Sequence, residues 1–197
     1  MVASDAAQGP AIADFLIAAR KPSKVFVVSD DQEYSVGIAD AANKELEAKG
    51  VSVQRDQFTQ GASDYSSTIA KIKAFDPVFL GGYYAQGGRL LKQVRDAGLT
   101  ATFATGDGSL DVGLVNGAGA KAAEGAIIRC PCAVVGAKST QGELKTFHDA
   151  YQAKYHVEPA VYAAEGHDAT SAHRRGCPPG RPRAAVASLA QPGCGAP

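Results

Sequence analysis

Tryptophan is missing from this chain of 197 residues, and methionine occurs only once, at the first position. Charge of either sign is not in excess: 20 basic side chains are matched by 20 acidic ones. No global field therefore favours nucleic acid or an anionic membrane surface. Apolar runs are short, none approaching the roughly 18 residues of a membrane span. The opening residues, Met1-Val2-Ala3-Ser4-Asp5, have neither the basic n-region nor the apolar h-region of a secretory signal. As written, the chain is expected to stay cytoplasmic. Cysteine is scarce too, at 4 residues. Cys130-Pro131-Cys132 is a C-x-C rather than a C-x-x-C, and no second pair lies at zinc-finger spacing, so Cys130, Cys132, Cys177 and Cys194 are expected to be incidental thiols.

What is present is an alternation. The length suits one well-buried domain. Ile12, Phe15, Leu16 and Ala19 recur at helical spacing, and Lys24-Val25-Phe26-Val27-Val28-Ser29 is a β-branched run of the kind covered on both faces. A second helix carries Ile38, Ala41, Ala42 and Leu46 and stops at Lys49-Gly50. Val51-Ser52-Val53 opens another strand, and Asp64 stands as an N-cap ahead of Ile69, Ile72 and Phe75. Val78-Phe79-Leu80 precedes a helix with Leu90, Leu91 and Val94, closed by Gly98. Thr102 to Thr105 and Ala126 to Ile128 read as further strands. Leu144, Phe147 and Tyr151 mark another helix, and a last one runs from about Val161 to Ala172. Such alternation predicts βαβ units with right-handed crossovers, hence an α/β fold with a doubly wound, three-layer parallel sheet.

Residues 173–197 are different material. They hold no acidic or aromatic residue, and Val186 and Leu189 are their only larger aliphatics. Such a segment cannot bury enough apolar surface to hold a fold. It reads as an irregular tail, either a native disordered segment or the product of a shifted reading frame. The folded part is thus expected over residues 1–172.

In doubly wound sheets, ligands bind beyond the carboxyl ends of the strands. Here those ends are Ser29-Asp30-Asp31, Gly81-Gly82-Tyr83 and Gly106-Asp107-Gly108. The acidic pair Asp30-Asp31 would suit a phosphate-accepting receiver, but the third strand ends in Gly81-Gly82 where that chemistry needs an aspartate. The pair can instead cap the following helix through its dipole. Asp107, between two glycines, can be an N-cap or can face an ammonium at close range. Enzyme motifs are incomplete: "EYSVG" lacks the first glycine of G-x-S-x-G, and "NGAGAKAAEG" matches neither a P-loop nor a dinucleotide fingerprint. No cofactor is implied. His148, His156 and His167 read as solvated surface histidines rather than ligands.

Several stretches together resemble a known family. "SDAAQGPAIADFL", "KVFVVSDDQEYSVGIADAANKELEAKGVSV", "DYSSTIAKIKAFDPVFLGGYYAQGGRLLKQVRDAGL", "GDGSLD", "AAEGAII" and "YAAEGHDAT" are similar, in order from Ala3 to Ser171, to the branched-chain amino-acid-binding proteins. These leucine-binding-protein-like receptors serve ABC importers and have the type I periplasmic-binding fold. The most specific stretches are "DDQEYSVG" and "FLGGYYAQGGRLLKQ". The resemblance implies a periplasmic or cell-surface receptor, not an enzyme, whose two lobes close on an amino acid.

This chain looks like the second lobe, with Met1 just past the hinge and the signal peptide and first lobe expected upstream. In such receptors the first lobe holds the ligand's carboxylate, and the second supplies tyrosines and an acid. By motif these are Tyr34, Tyr83 and Asp107. The partners implied are leucine, isoleucine or valine and a membrane permease, with no nucleic acid. The family often has glutamate where Asp107 stands; this side chain is one methylene shorter, which implies a shifted backbone or a water at the amine contact, or a different ligand. Tyr84 is expected to point away from the site and pack. The competing expectation is a flavodoxin-like enzyme or regulatory domain that binds nucleotide or phosphate at the same edge.

Overall fold

A computed structural model of the chain describes residues 3–136 and 141–174. They divide into two compact units, a larger one over Ala3–Pro131 and a smaller one that begins at Cys132. The tail expected over 173–197 lies almost wholly outside the described residues, as do Cys177 and Cys194.

The larger unit runs α1 (Asp5–Arg20), β1 (Lys24–Ser29), α2 (Glu33–Ala48), β2 (Ser52–Gln57), α3 (Ser66–Ile72), β3 (Val78–Gly81), α4 (Tyr84–Asp96) and β4 (Phe103–Thr105). A single 3-10 turn (Asp107–Ser109), α5 (Val112–Ala118), α6 (Ala120–Ala123) and β5 (Ile127–Ile128) follow. The strands form one parallel sheet in the order β2-β1-β3-β4-β5. The α/β doubly wound expectation therefore holds. Because β2 lies on one side of β1 and β3 on the other, the strand order reverses between β1 and β3, which is where such sheets leave a crevice.

Strand periodicity divides the core. Val25 and Val27 of β1, Phe79 of β3 and Ala104 of β4 pack under Ile12, Ala13 and Leu16 of α1 and Ile38, Ala39, Ala42 and Leu46 of α2. Phe26, Val28, Val78, Leu80 and Phe103 point the other way, onto Ile69 and Ile72 of α3 and Leu90, Leu91 and Val94 of α4. Successive side chains of a strand face opposite sides, so a strand buried on both reads as a continuous apolar run.

The start and the end of α3 differ from expectation. The Asp64 carboxylate does accept the Ser66 N–H at 3.0 Å, but the residue at the N-cap of α3 is Tyr65. Phe75 lies beyond the end of that helix and packs against the α3–α4 core. The cysteine reading is corrected: Cys130 and Cys132 are disulfide-bonded. Spacing rules for redox and metal motifs do not register a disulfide, which asks only that two Cα atoms come within about 4.4–6.8 Å.

In the smaller unit, α7 (Gly142–Tyr155) and α8 (Ala163–Arg174) meet through the Phe147 ring against His167, with centroids 5.5 Å apart. His148 is not a freely solvated histidine. Its ring lies between Asp149 at 3.2 Å and Glu158 at 2.9 Å, and these partners raise its pKa.

Helices α1 and α2 come close together at Gly9. A Cβ there would stand 2.5 Å from the Ala41 Cβ and 2.7 Å from the Ala42 backbone nitrogen, so no side-chain rotation relieves it. Alanine is the better helix former by about 1 kcal/mol, whereas overpacking costs about 1–3 kcal/mol. Gly9→Ala is therefore expected to lower the unfolding free energy in urea titration, and Ala41→Gly in the same chain to recover part of the loss. A stabilised Gly9→Ala protein would show that the two helices are not in contact here.

Candidate functional site

The crevice between the ends of β1 and β3 is where the conspicuous side chains collect. After β1 the chain turns through Asp30 and Asp31 into α2, and Tyr34 sits in its first turn. After β3 it passes Gly82 and Tyr83 into α4, with Tyr83 in extended conformation at the helix N-cap. After β4, the turn Asp107–Ser109 starts at the same edge. Tyr34, Tyr83 and Asp107, the residues named from the sequence, thus stand together. The Tyr34 hydroxyl donates to Asp107 Oδ1 at 2.7 Å and accepts the Gly108 N–H at 3.0 Å. The Tyr34 and Tyr83 rings lie 5.1 Å apart, tilted by 43°.

The glycines here work by proximity, not by unusual backbone angles. A Cβ at Gly108 would lie 2.7 Å from the Tyr34 ring, and one at Gly106 would lie 2.7 Å from Ile38 and 3.0 Å from the Tyr34 hydroxyl. The glycines either side of Asp107 are what let the tyrosine reach it. At Gly81 a Cβ would meet the Ser35 carbonyl at 2.4 Å, so this glycine lets the first turn of α2 close onto β3. Tyr84 begins α4 and leaves the site, its ring covering Gly113.

The two remaining acids of this edge are structural. Asp30 is fully buried and accepts the Gln32 N–H at 3.0 Å. Asp31 accepts the Gln60 N–H at 3.0 Å and a Gln32 side-chain N–H, contacts that hold its carboxyl below the usual range. Helix α5 is capped by Asp111, whose carboxylate accepts the Gly113 N–H at 2.6 Å.

Around the tyrosines opens a cleft of about 420 Å³, lined by Asp5, Gln32, Glu33, Tyr34 and Tyr83. Asp107 meets this cleft through the Tyr34 hydroxyl. Asp5, in the first turn of α1, carries no sequence signal for a site, because an acid there reads as complement to the helix dipole. Burial first, and then Asp107, raise the Asp5 pKa. Burial also pushes the Tyr34 phenol far up, with the Asp107 hydrogen bond next in weight. The Tyr83 phenol is raised by burial and then by Asp30, Asp107 and Asp5. No Lys or Arg is among the residues lining the cleft. Such a site suits a cation that brings an apolar body, since it offers carboxylates and aromatic faces together.

Comparison with known proteins shows the family. A family model described as periplasmic binding protein matches residues 1–176. The chain is 36% identical over 130 residues to the Leu/Ile/Val/Thr-binding protein of Salmonella typhimurium, covering 64% of this chain and 35% of the relative. The Leu/Ile/Val-binding protein of Escherichia coli is 35% identical over the same length, with the same coverage. Among solved structures, a leucine-binding protein of Thermotoga maritima superposes with a TM-score of 0.76 at 29% identity, over 89% of this chain and 51% of that one. A branched-chain amino acid transporter substrate-binding protein of Streptococcus pneumoniae, in complex with isoleucine, gives 0.73 at 26% identity, over 86% and 49%. The chain thus spans about a third of the length of its curated relatives and half that of the solved ones. With a family match running through both units and the sheet edge intact, the chain belongs to the periplasmic binding protein family.

Proposed function

We propose that this chain is the amino-acid-binding lobe of a solute receptor for an ABC importer, that it takes leucine, isoleucine or valine, and that it is not an enzyme. The observation that carries this reading is the cleft at the strand-order reversal, which joins two tyrosine faces to carboxylates with no cation among its lining residues. A ligand ammonium that leaves water needs a carboxylate partner, and the tyrosine rings supply apolar contact for an aliphatic side chain. Relatives named for Leu/Ile/Val binding support the ligand class, and the isoleucine complex of the Streptococcus pneumoniae relative supports it again. A nucleotide or phosphate would instead need backbone N–H donors and a basic group at this edge. The disulfide-bonded Cys130 and Cys132 fit an oxidising compartment such as the periplasm. In this reading the lobe spans residues 1–172, and Tyr34, Tyr83 and Asp107 form its half of the site, with Asp5 beside them. The permease partner follows from the family.

Exposed ion pairs contribute only about 0–1 kcal/mol, while association costs an estimated 4–15 kcal/mol at 1 M standard state. The chain of 197 residues, half the length of its solved relatives, is therefore expected to bind these amino acids in the millimolar range. Extended to full receptor length, it should bind them far more tightly. In the extended protein, Asp107→Asn removes a charge-assisted hydrogen bond worth about 1.5–3 kcal/mol, a loss of roughly ten- to a hundredfold in affinity. Asp31→Asn should change it little. Isothermal calorimetry decides: equal affinity of Asp107→Asn and wild type for every amino acid tested would reduce Asp107 to a structural acid.

Acid should weaken the same binding. The Asp5 pKa is raised, by burial and then by Asp107, so its charge is present above that raised value and is lost as pH falls through it. Affinity for an amine ligand is expected to decline on acidification before the ordinary Asp value of about 3.9 is reached. In Asp5→Asn the onset should shift to lower pH. An unchanged calorimetric pH profile in that variant would remove Asp5 from the site.

A further inference from the structure

Beyond the last paired residues of β3 and β4, Leu80 and Thr105, no backbone ladder holds the two strand ends together. What continues the connection is a chain of hydroxyls. Thr105 Oγ1 donates to Ser109 Oγ at 2.8 Å, and Ser109 Oγ donates to the Gly82 carbonyl at 3.0 Å. Thr105 and Ser109 are both fully buried.

We infer that Ser109 is a positioning residue of the site, a buried side chain that ties the turn bearing Asp107 to the strand end bearing Tyr83. The Gly82 carbonyl belongs to the peptide that leads into Tyr83, so holding that oxygen fixes the plane from which Tyr83 departs. At the other end, Ser109 closes the turn that Asp107 opens, and its own N–H is bonded to the Gly106 carbonyl at 3.2 Å. This hydroxyl therefore fixes the spacing between the two backbones that carry the acid and Tyr83, beside the Tyr34 bond to Asp107.

The neighbourhood is shaped to admit it. A Cβ at Gly87 of α4 would stand 3.3 Å from Ser109 Oγ and 3.1 Å from both Leu80 and Leu114. A Cβ at Gly108 would stand 3.1 Å from the Gly82 carbonyl, so the two turns already lie against each other. A buried carbonyl that loses its donor in such a space moves to find another, and Tyr83 moves with it.

This inference rests on the reading of the cleft as an amino-acid site, but its first readout needs no ligand. Tyr34 reports the position of the Asp107 turn, since its phenol is raised by burial and by the Asp107 hydrogen bond. In the full chain with ¹³C-labelled tyrosine, the Tyr34 resonance is assigned by its loss in Tyr34→Phe and followed through alkaline titration. In wild type it should remain protonated above the ordinary phenol range near about 10. In Ser109→Ala, folded by circular dichroism, it should ionise at lower pH than in wild type, because the Asp107 hydrogen bond that adds to the effect of burial is weakened. Thr68→Val is the control, because it too deletes a buried hydroxyl bond, to Asp56 at 2.9 Å, on the remote side of the sheet. It should leave the Tyr34 titration as in wild type.

If Ser109→Ala does not fold, Thr105→Val/Ser109→Ala removes the orphaned threonine hydroxyl and is titrated instead. The second readout is leucine affinity in the chain extended to full receptor length, expected to fall about tenfold or more in Ser109→Ala but not in Thr68→Val. Failure of the extended wild type to bind any amino acid would reject the proposed ligand while the Tyr34 titration still decides the role of Ser109. An unchanged Tyr34 titration in the folded Ser109 variant overturns the inference. So does an ordinary Tyr34 titration in wild type, or the unfolding of both Ser109 variants, which would make Ser109 a residue of the core.

Discussion

The hydrogen bond from the Tyr34 hydroxyl to Asp107, 2.7 Å long and joining residues 73 positions apart, holds the edge of the sheet together. Tyr34 comes from the segment after β1 and Asp107 from the segment after β4, with β3 between those strands in the sheet. The bond therefore spans the crevice instead of running along one loop. Because the same hydroxyl accepts the Gly108 N–H, both its donor and its acceptor capacity are committed to the turn at Asp107. A phenol so engaged orients the carboxylate and offers its ring to the cleft. The ring of Tyr83 then lies beside that of Tyr34, and the aromatic wall follows from the polar bond.

This arrangement requires backbones closer than side chains ordinarily allow. The requirement explains the glycines better than flexibility does. Gly81 lets α2 close onto β3, while Gly106 and Gly108 let Tyr34 reach Asp107. At Gly81 the added atom would meet a backbone carbonyl, at Gly108 the Tyr34 ring, and at Gly106 the Ile38 side chain and the Tyr34 hydroxyl. Gly9 has the same function one layer back, where α1 meets α2. A run of close approaches thus leads from the helix layer to the site, and α1, which carries Asp5 into the cleft, is held by the first of them.

Charge at this edge is concentrated beyond what capping needs. Asp111 caps α5, and Asp30 and Asp31 bond to backbone N–H groups at the start of α2 and at Gln60. Asp5 and Asp107 are left near each other in a partly buried setting, where each raises the cost of the other's charge. In the proposed reading, a ligand ammonium would relieve that cost. The polar chain through Thr105 and Ser109 adds rigidity at the point where the sheet's own hydrogen bonds have ended.

By itself the sequence determined the fold class and which residues stand beyond the carboxyl ends of the strands. Val25 to Val28 and Val78 to Leu80 are apolar at every residue, which only strands buried on both faces require, and the helices between them impose parallel pairing. That Tyr34, Tyr83 and Asp107 would stand at one edge was legible because each follows a strand. Roles for Asp5 and Ser109 there were not. An acid at a helix start and a serine after glycine are what ordinary caps and turns contain, so local pattern cannot separate those roles from a role in a site. Nor could spacing tell that Cys130 and Cys132 are disulfide-bonded, or that His148 lies between two carboxylates. Only the tertiary structure decided these, because each depends on distances between side chains. Such distances are set by how helices and sheet pack, and no local pattern encodes them.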